Sequence, residues 1–370
     1  MKSVNNSLLA FVIITLSLLS CETSKQNPED KASSLQEEIN FSSFDQYFNN
    51  LENFSGNVLV AVNGKSIYEK SYGYANIELK VKNTSKTKFR IGSITKQFTA
   101  MAVMILQEQG KLNVTDKLSD HISNVPEIWK EITIHQLLTH TSGIIHSWAL
   151  EGFEENMMLY TSIEDIIDKF KDQPLVGDPG EKFQYSGTGY FILSSLIEKV
   201  SGKSYEDFLK DEIFSKIEMT NSGSDVPGKI IENRASGYIT DSTGMNNSTY
   251  IYMPILTGGG NLYSTTEDFL KWDQSLYNNA LISKESKEKM FKPELNSYAY
   301  GWRVIKIDTL FITTHGGSVP GFLSKIWRFP NDKLLVVILS NNKRSENPET
   351  GREFVNLVHE ELDKTGYNNK

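Results

Sequence analysis

The sequence predicts an α+β fold, in which an antiparallel β-sheet is flanked by helices and a mostly helical lobe is inserted between its halves. Two alternating segments joined by Asn63-Gly64 indicate a β-hairpin near the start of the domain, because this dipeptide favours the tight turn between antiparallel strands. Helical periodicity then dominates from about residue 111 to residue 264, and four alternating segments follow it. The sheet is therefore expected to receive strands from both ends of the domain.

Hydrophobic periodicity and turn residues locate the elements in chain order. Gly110 and Gly202 are expected to end helices, and Pro330-Asn331-Asp332 is expected to separate two strands. Gly316-Gly317 is likewise interpreted as a turn after a strand. The predicted helices cover residues 95–109, 132–140, 163–170, 189–200 and 353–362, and the predicted strands cover residues 57–62, 66–72, 302–306, 310–314, 322–329 and 333–339.

Residues 1–20 predict an export signal. Lys2 supplies a positive charge, and the largely apolar run 8–19 ends at Ser20-Cys21. Such a run is too short to span a bilayer comfortably, so a cleaved signal peptide is favoured over a transmembrane helix. Its last residues, Leu18-Leu19-Ser20-Cys21, resemble a bacterial lipoprotein processing site, at which the cysteine is acylated. The alternative is an ordinary secretory signal followed by a chance cysteine.

Cys21 is the only cysteine, so no intramolecular disulfide can form and the domain has no thiol for catalysis or metal binding. Residues 21–40 are polar and predict a flexible tether to the domain at 41–370. We therefore expect an exported, membrane-anchored lipoprotein on the periplasmic or cell-surface side, with the lipid bilayer as a partner. A net charge of -8 without a basic stripe argues against nucleic acid as a partner.

Three histidines, His135, His140 and His146, are spaced five and six residues apart. This spacing does not place three ligands on one helical face, and no HExxH motif or cysteine pair accompanies them. We expect neither a metal nor another cofactor.

The pattern Ser-x-x-Lys occurs four times, and only its surroundings separate the matches. Three of them, starting at Ser85, Ser286 and Ser340, lie in polar or charge-rich segments. The fourth, Ser93-Ile94-Thr95-Lys96, opens a long apolar helix. Ser93 is therefore expected at a helix N-terminus.

Two interpretations of Ser93 remain open at this point. The first is an N-cap, a role that serine often fills. A capping box would place Glu or Gln three residues on, whereas this chain has Lys96, a cation where the helix dipole disfavours it. The second is nucleophilic catalysis, because residues three apart share a helix face and a neutral Lys96 amine would act as the base for the Ser93 hydroxyl.

Two later segments add candidate partners. Tyr185 lies in a glycine-rich loop before a helix, where its ring either packs or presents its hydroxyl. His315-Gly316-Gly317-Ser318 follows a predicted strand, and glycines at a strand edge let a substrate approach backbone N–H groups that stabilise an oxyanion. The alternative for this second segment is a plain turn with an exposed histidine.

The order of these segments resembles the serine β-lactamase and penicillin-binding-protein family, in particular its class C-like branch. Ser93-x-x-Lys96, Tyr185 and His315-Gly316-Gly317 stand in the order of the three family motifs, and the resemblance extends from about residue 41 to the end. Connecting stretches share it, including Leu137-Leu138-Thr139-His140-Thr141-Ser142-Gly143, Pro179-Gly180, Gly258-Gly259-Gly260-Asn261 and Phe329-Pro330.

The resemblance implies an acyl-transfer hydrolase acting on a small molecule or peptide. Ser93 would attack a carbonyl, and Lys96 and Tyr185 would share proton removal and delivery. The backbone N–H groups of Ser93 and Ser318 would form the oxyanion hole, with His315 and Gly317 binding the substrate beside it. Whether Lys96 or Tyr185 takes the first proton stays open, because two coupled bases titrate as a unit.

Two positions depart from the family pattern. Gly187 replaces the Asn of Tyr-x-Asn, which orients the lysine and the substrate amide. His315-Gly316-Gly317 replaces Lys-Thr-Gly, so that a weaker, pH-dependent cation stands for the lysine. We therefore expect a monomeric esterase, D,D-peptidase-like enzyme or other amidase rather than an efficient β-lactamase. The rival expectation is a catalytically weak, penicillin-recognising binding or sensor protein.

Overall fold

The computed structural model describes residues 35–123, 125–159, 162–308, 310–344 and 350–367. The predicted signal peptide, Cys21 and most of the predicted tether lie outside the described residues. The described part combines a six-stranded antiparallel sheet, helices packed on it and a mostly helical lobe. The predicted α+β fold class is confirmed.

The strands are mostly short outside the main sheet. They are β1 (Gly56–Val62), β2 (Lys65–Tyr72), β3 (Tyr74–Asn76), β4 (Val81–Lys82), β5 (Phe89–Arg90), β6 (Gly223–Ser224), β7 (Tyr238–Asp241), β8 (Gly244–Asn247), β9 (Leu262–Ser264), β10 (Arg303–Ile307), β11 (Leu310–Val319), β12 (Phe322–Phe329), β13 (Leu334–Ser340) and β14 (Asn342–Arg344).

The α-helices vary from single turns to about four turns. They are α1 (Phe41–Asn50), α2 (Thr95–Glu108), α3 (Leu118–His121), α4 (Ile134–Leu138), α5 (Phe153–Asn156), α6 (Ile163–Asp168), α7 (Gly187–Ser201), α8 (Tyr205–Leu209), α9 (Thr266–Ser275), α10 (Lys284–Met290) and α11 (Thr350–Lys364).

The six-stranded sheet is built from the two ends of the chain. Its strand order is β10-β11-β12-β13-β1-β2, and each neighbouring pair is antiparallel. The N-terminal hairpin joins the C-terminal strands where β1 pairs with β13. Its turn is as predicted, since Asn63 and Gly64 have φ angles of 51° and 78°, the conformation that Asn-Gly favours between two strands.

Both faces of the central strands are buried. In β1, Val58, Val60 and Val62 pack into a cluster with α1 and α11, whereas Leu59 and Ala61 pack into the larger cluster that contains α2. The alternation follows from the period of two along a strand. The sheet is therefore a middle layer, and α2 lies on one side of it with the candidate site at its N-terminus.

Strand β11 is longer than predicted, and the interpretation of Gly316-Gly317 as a turn was wrong. The strand runs to Val319, and both glycines pair with β12. The chain reverses instead at Pro320-Gly321, where Gly321 has a φ of 77°. Two adjacent glycines have no side chains to alternate, so periodicity could not reveal that pairing with β12 keeps them extended.

Helix α4 is shorter than the predicted segment 132–140. It begins after Thr133, whose side chain accepts a hydrogen bond from the Gln136 N–H, and it ends at Leu138. His140 then adopts a φ of 58°, a left-handed conformation that stops a helix. This reversal carries the His140 side chain into the buried part of the site.

The chain between α2 and α9 contains α3 to α8 and the short strands β6 to β9. Its longest helix, α7, packs on α2 and ends, as predicted, at Gly202 with a φ of 73°. The predicted lobe boundaries at 111 and 264 remain a prediction. Within the described ranges, no helix is both long and apolar enough to cross a membrane.

Candidate active site

Ser93 lies in a tight turn that leads into α2. The chain leaves β5, passes Gly92 at a φ of 51° and forms a 3-10 turn over Gly92–Ile94 before α2 begins at Thr95. The N-cap positions of this turn and of α2 are Ile91 and Ile94, and neither makes a side-chain capping hydrogen bond. Ser93 is not an N-cap, and its half-buried hydroxyl is available for chemistry.

Lys96 brings its amine to the Ser93 hydroxyl from inside the protein. The side chain is only 2% exposed, and Nζ lies 3.2 Å from Ser93 Oγ and 2.7 Å from the carbonyl oxygen of Gly259. In the described part of the chain, no carboxylate forms an ion pair with Lys96. The geometry makes Lys96 a candidate proton acceptor for Ser93, as the spacing of three residues predicted.

Tyr185 reaches the same amine from the loop before α7. The centroid of its ring lies 5.1 Å from Lys96 Nζ, and the ring of Tyr190 lies 5.4 Å from it. Tyr185 is partly exposed, whereas Tyr190 is fully buried and donates its hydroxyl to the carbonyl oxygen of Leu138. Tyr185 is thus the phenol with access to a substrate, and the structure brings it together with Ser93 and Lys96.

The edge of β11 lies against the Ser93 turn. β10 pairs only with residues 310–314, so that residues 315–319 extend beyond it. A Cβ atom on Gly92 would stand 2.6 Å from the backbone nitrogen of Ser318, and one on Gly317 would stand 1.9 Å from the carbonyl oxygen of Ile91. Only glycines permit this approach. The backbone N–H of Ser318 therefore lies beside the turn that carries Ser93, as an oxyanion hole formed by the two requires.

His315 is buried in the site, and its surroundings contradict the expectation that its side chain is a cation. Nδ1 lies 2.6 Å from the carbonyl oxygen of Gly316, which can only accept, so Nδ1 carries the proton and Nε2 accepts from the Tyr298 hydroxyl at 2.9 Å. Burial, and next the charge of Lys96, lower the pKa of His315 to about 3. The ring is neutral at neutral pH, and it does not replace the family lysine as a charge.

His140 and Tyr298 form the aromatic interior of the site, and no motif assigned them a role. The His140 ring centroid lies 4.3 Å from that of Tyr185 and 4.6 Å from that of Tyr298. Its Nδ1 accepts the backbone N–H of Ser186 at 3.1 Å. Burial, and then nearby Lys96, lower the pKa of His140 well below its usual value. The shared stretch around His140 was the available sequence signal, whereas nothing marked Tyr298.

Gly187 is the first residue of α7 and lies beside a loop that the sequence did not connect with it. A Cβ atom at position 187 would stand 3.3 Å from Ser147 Oγ and 3.5 Å from His146 Cε1. The His146 ring lies 5.7 Å from the Tyr185 ring, centroid to centroid. The place that a side chain at 187 would enter is therefore already bordered by His146 and Ser147.

The other sequence candidates lie elsewhere. Ser85 is exposed in a loop, Ser286 lies on α10, and Ser340 ends β13 with its hydroxyl on the carbonyl oxygen of Ser55. His135 contacts Tyr300 through Nδ1 at 2.8 Å. Over the described ranges, no three acidic, histidine or cysteine side chains cluster as metal ligands would.

Comparisons with known proteins agree with this geometry. A family model described as Beta-lactamase matches residues 44–360. A penicillin-binding protein of Bacillus subtilis (strain 168) is 31% identical over 322 residues, which are 80% of this chain and 70% of the relative.

Two solved structures share the fold. The octameric penicillin-binding protein homologue from Pyrococcus abyssi has a TM-score of 0.72 at 29% identity and covers 84% of this chain and 73% of its own. A D-amino acid amidase from Ochrobactrum anthropi has a TM-score of 0.74 at 19% identity and covers 92% of this chain and 100% of its own, a likeness of fold alone. The family match spans most of the chain and includes Ser93, Lys96 and Tyr185, so the chain belongs to the β-lactamase family and is a serine hydrolase that works by acyl transfer.

Proposed function

We propose that this enzyme hydrolyses an ester, a D-amino-acid peptide or a related amide through an acyl-enzyme on Ser93. The observation that carries the proposal is the 3.2 Å contact between Lys96 Nζ and Ser93 Oγ at the open edge of β11. A nucleophile, a base and backbone N–H donors in one cleft are the parts that acyl transfer requires.

Each step uses groups already described. Ser93 Oγ bonds to the substrate carbonyl carbon while its proton passes to Lys96 or Tyr185, and the carbonyl oxygen takes the negative charge beside the backbone N–H groups of Ser93 and Ser318. When the tetrahedral intermediate collapses, the leaving alcohol or amine takes up that proton. Water then attacks the acyl group, the acid leaves and Ser93 regains its proton.

The charge around the cleft favours a carboxylate-bearing substrate held by an arginine. The Arg303 Cζ atom lies 5.9 Å from the Phe183 ring centroid, at the start of β10, and in the described residues no carboxylate forms an ion pair with it. Burial and the charge of Lys96 lower the pKa of His315 most, and the charge of Arg303 lowers it further. With His315 neutral, the exposed Arg303 is a cation near the site that supports a D-amino-acid peptide with a free carboxylate as substrate. The structure that shares the fold is named a D-amino acid amidase, which is consistent with the D-configuration proposed for the substrate.

Covalent labelling tests the proposal. The protein is incubated with a fluorophosphonate and with a fluorescent penicillin, the adduct is located by mass spectrometry, and p-nitrophenyl ester hydrolysis is followed. We expect an adduct on Ser93, together with turnover that Ser93→Ala abolishes and Lys96→Met lowers at least about 1,000-fold, as losses of catalytic groups do. Hydrolysis by Ser93→Ala at the wild-type rate would refute the proposal.

A second candidate is a catalytically weak, penicillin-recognising binding or sensor protein. The absence of a side chain at Gly187 motivates it. The same experiment separates the two, because a sensor would give a penicillin adduct on Ser93 that persists for hours without ester turnover.

We also propose that the enzyme is exported, held to a membrane through acylated Cys21, and monomeric. The apolar run before Cys21 and the polar segment after it support the anchor. Cys21→Ser should move the protein from the membrane fraction to the soluble exported fraction and abolish incorporation of labelled palmitate. Sedimentation of a variant that starts at residue 35 tests the monomer. Unchanged membrane association of Cys21→Ser, or a larger species in sedimentation, would contradict the corresponding claim.

A further inference from the structure

We propose that His146 supplies the substrate contact that a side chain at position 187 makes in other members of the family. His146 would donate Nε2–H to the carbonyl oxygen of an amide on the acyl side of the substrate. This inference rests on the proposed function and names a specificity residue within the same site.

The space beside Gly187 is bordered by two side chains from another loop. An added Cβ at position 187 would lie 3.3 Å from Ser147 Oγ, slightly tighter than an ordinary contact, and 3.5 Å from His146 Cε1, an ordinary van der Waals contact. A side chain at this position would therefore start in contact with the loop that carries them. The chain thus has a histidine from one loop beside the place of a side chain that α7 lacks.

The contacts of His146 show which ring nitrogen carries the proton. His146 Nδ1 lies 3.1 Å from the backbone nitrogen of Trp148 and 3.4 Å from Ser147 Oγ, and a backbone N–H can only donate. Nδ1 is therefore an acceptor in the neutral ring, and the proton is on Nε2. Burial, and next the charge of Lys96, lower the pKa of His146 to about 4, so the ring stays neutral at neutral pH.

The His146 ring lies beside a catalytic candidate. The His146 ring packs against Tyr185 with 5.7 Å between centroids and an interplanar angle of 33°. His146 is half-buried, so part of its side chain is accessible to solvent. A neutral N–H donor that packs beside the Tyr185 ring can bond an uncharged acceptor such as an amide carbonyl.

Two esters with the same leaving group test the proposal: the p-nitrophenyl esters of N-acetyl-D-alanine, which has an acyl-side amide, and of butyric acid, which has none. For His146→Ala, we expect kcat/KM on the amide-bearing ester to fall about 10-fold or more, and that on the butyrate ester to stay within about threefold. Equal losses on both esters, or no loss on the first, would overturn the proposal.

Two further variants separate the contact from the loop structure. His146→Ser and His146→Asn both keep a side-chain acceptor for the Trp148 N–H, but only the Asn amide keeps a long N–H donor. We therefore expect His146→Asn to recover part of the preference for the amide-bearing ester and His146→Ser to recover none. Recovery by both variants alike would show that the loop, rather than the donor, matters.

The double variant His146→Ala/Gly187→Asn places an amide on α7 and removes the imidazole ring beside it. We expect the double variant to exceed both single variants on the amide-bearing ester, since in Gly187→Asn alone the new side chain still contacts the His146 ring. If the losses in kcat/KM of the two single variants simply add in the double variant, the proposal that His146 replaces a side chain at position 187 is overturned. Failure of the proposed function is distinguishable from these outcomes, because Ser93→Ala would then leave hydrolysis of both esters unchanged whatever residue stands at 146.

Discussion

The Tyr298 hydroxyl lies 2.9 Å from Nε2 of the buried His315, and this contact fixes the protonation of the last family motif. Burial, and next the neighbouring Tyr190, raise the pKa of Tyr298 well above its usual value. The phenol therefore stays protonated and donates a hydrogen bond to His315 Nε2. His315 in turn donates Nδ1–H to the carbonyl oxygen of Gly316. The motif therefore contributes a rigid, uncharged edge to the cleft.

Replacing Tyr298 with Phe should leave His315 Nε2 buried without a donor. We expect the free energy of unfolding to fall by about 1–3 kcal/mol, the usual cost of an unsatisfied buried group. We also expect kcat/KM to fall several-fold, because the lost hydroxyl no longer holds the His315 ring in place. Urea unfolding and ester hydrolysis measure the two effects.

Tyr300→Phe is the matched control, since its hydroxyl also contacts a histidine, His135 at 2.8 Å, outside the catalytic cleft. This variant should lose stability without losing turnover. Equal activities of the Tyr298 and Tyr300 variants would contradict a role of the Tyr298 contact in shaping the site.

Acidification should destabilise the folded protein through its buried histidines. Burial, followed by Lys96, lowers the pKa of His315 from 6.5 to about 3, and that of His146 to about 4. Between about pH 6.5 and those values, the unfolded chain binds protons that the folded chain does not, so stability is complete above pH 6.5 and falls as the pH falls. Each such histidine contributes up to about 1.4 kcal/mol per pH unit to the slope.

His315→Gln should reduce that slope by about one proton when the free energy of unfolding is measured from pH 7.5 to pH 4.5. The same pKa predicts that KM for a carboxylate-bearing substrate has no inflection near pH 6.5 assignable to His315. An inflection that disappears in His315→Gln would show instead that the ring is charged in the working enzyme.

Breaking the buried ion pair between Arg328 and Asp273 should strongly destabilise the folded protein. Arg328 Nε lies 2.5 Å from Asp273 Oδ1, and their side chains are 3% and 1% exposed. Asp273→Asn leaves a buried guanidinium without its carboxylate, so we expect a loss of about 3–5 kcal/mol in urea unfolding. Glu288→Gln removes an exposed partner of Lys284 at 3.7 Å and should cost less than about 1 kcal/mol. Similar costs for the two variants would contradict this assignment.

What the sequence could predict depended on local chemistry. The Asn63-Gly64 turn, the stop at Gly202 and the contact between Ser93 and Lys96 follow from neighbouring residues alone, and the structure has all three. The order of the family motifs then indicated which strand would meet Ser93. These features required no knowledge of how distant segments pack.

What it could not predict depended on distant packing. His315 is neutral because Tyr298, from a segment with positive φ at Asn296 and Ser297, covers it, and no periodicity marks that segment. His146 offers no local signal beyond its spacing to the other histidines, because its place beside Gly187 brings together a loop and the start of α7 that are far apart in the chain. The charge of His315 and the surroundings of Gly187 depend on residues that are distant in the chain, so the motif residues alone could not predict them.

The two adjacent glycines of β11 should respond very differently to the same substitution. At Gly317, a Cβ would stand 1.9 Å from the carbonyl oxygen of Ile91, which forces the strand away from the Ser93 turn and displaces the Ser318 N–H. We expect Gly317→Ala to lower kcat about 100-fold or more, the effect of losing an oxyanion donor, and to slow labelling by a fluorophosphonate in parallel. At Gly316, the nearest atom to a Cβ is the carbonyl oxygen of Ser324 at 3.8 Å, so Gly316→Ala should stay within a few-fold of wild type. Matching thermal unfolding curves would show that both variants are folded, and comparable activities of the two would contradict an oxyanion hole formed by this edge of β11.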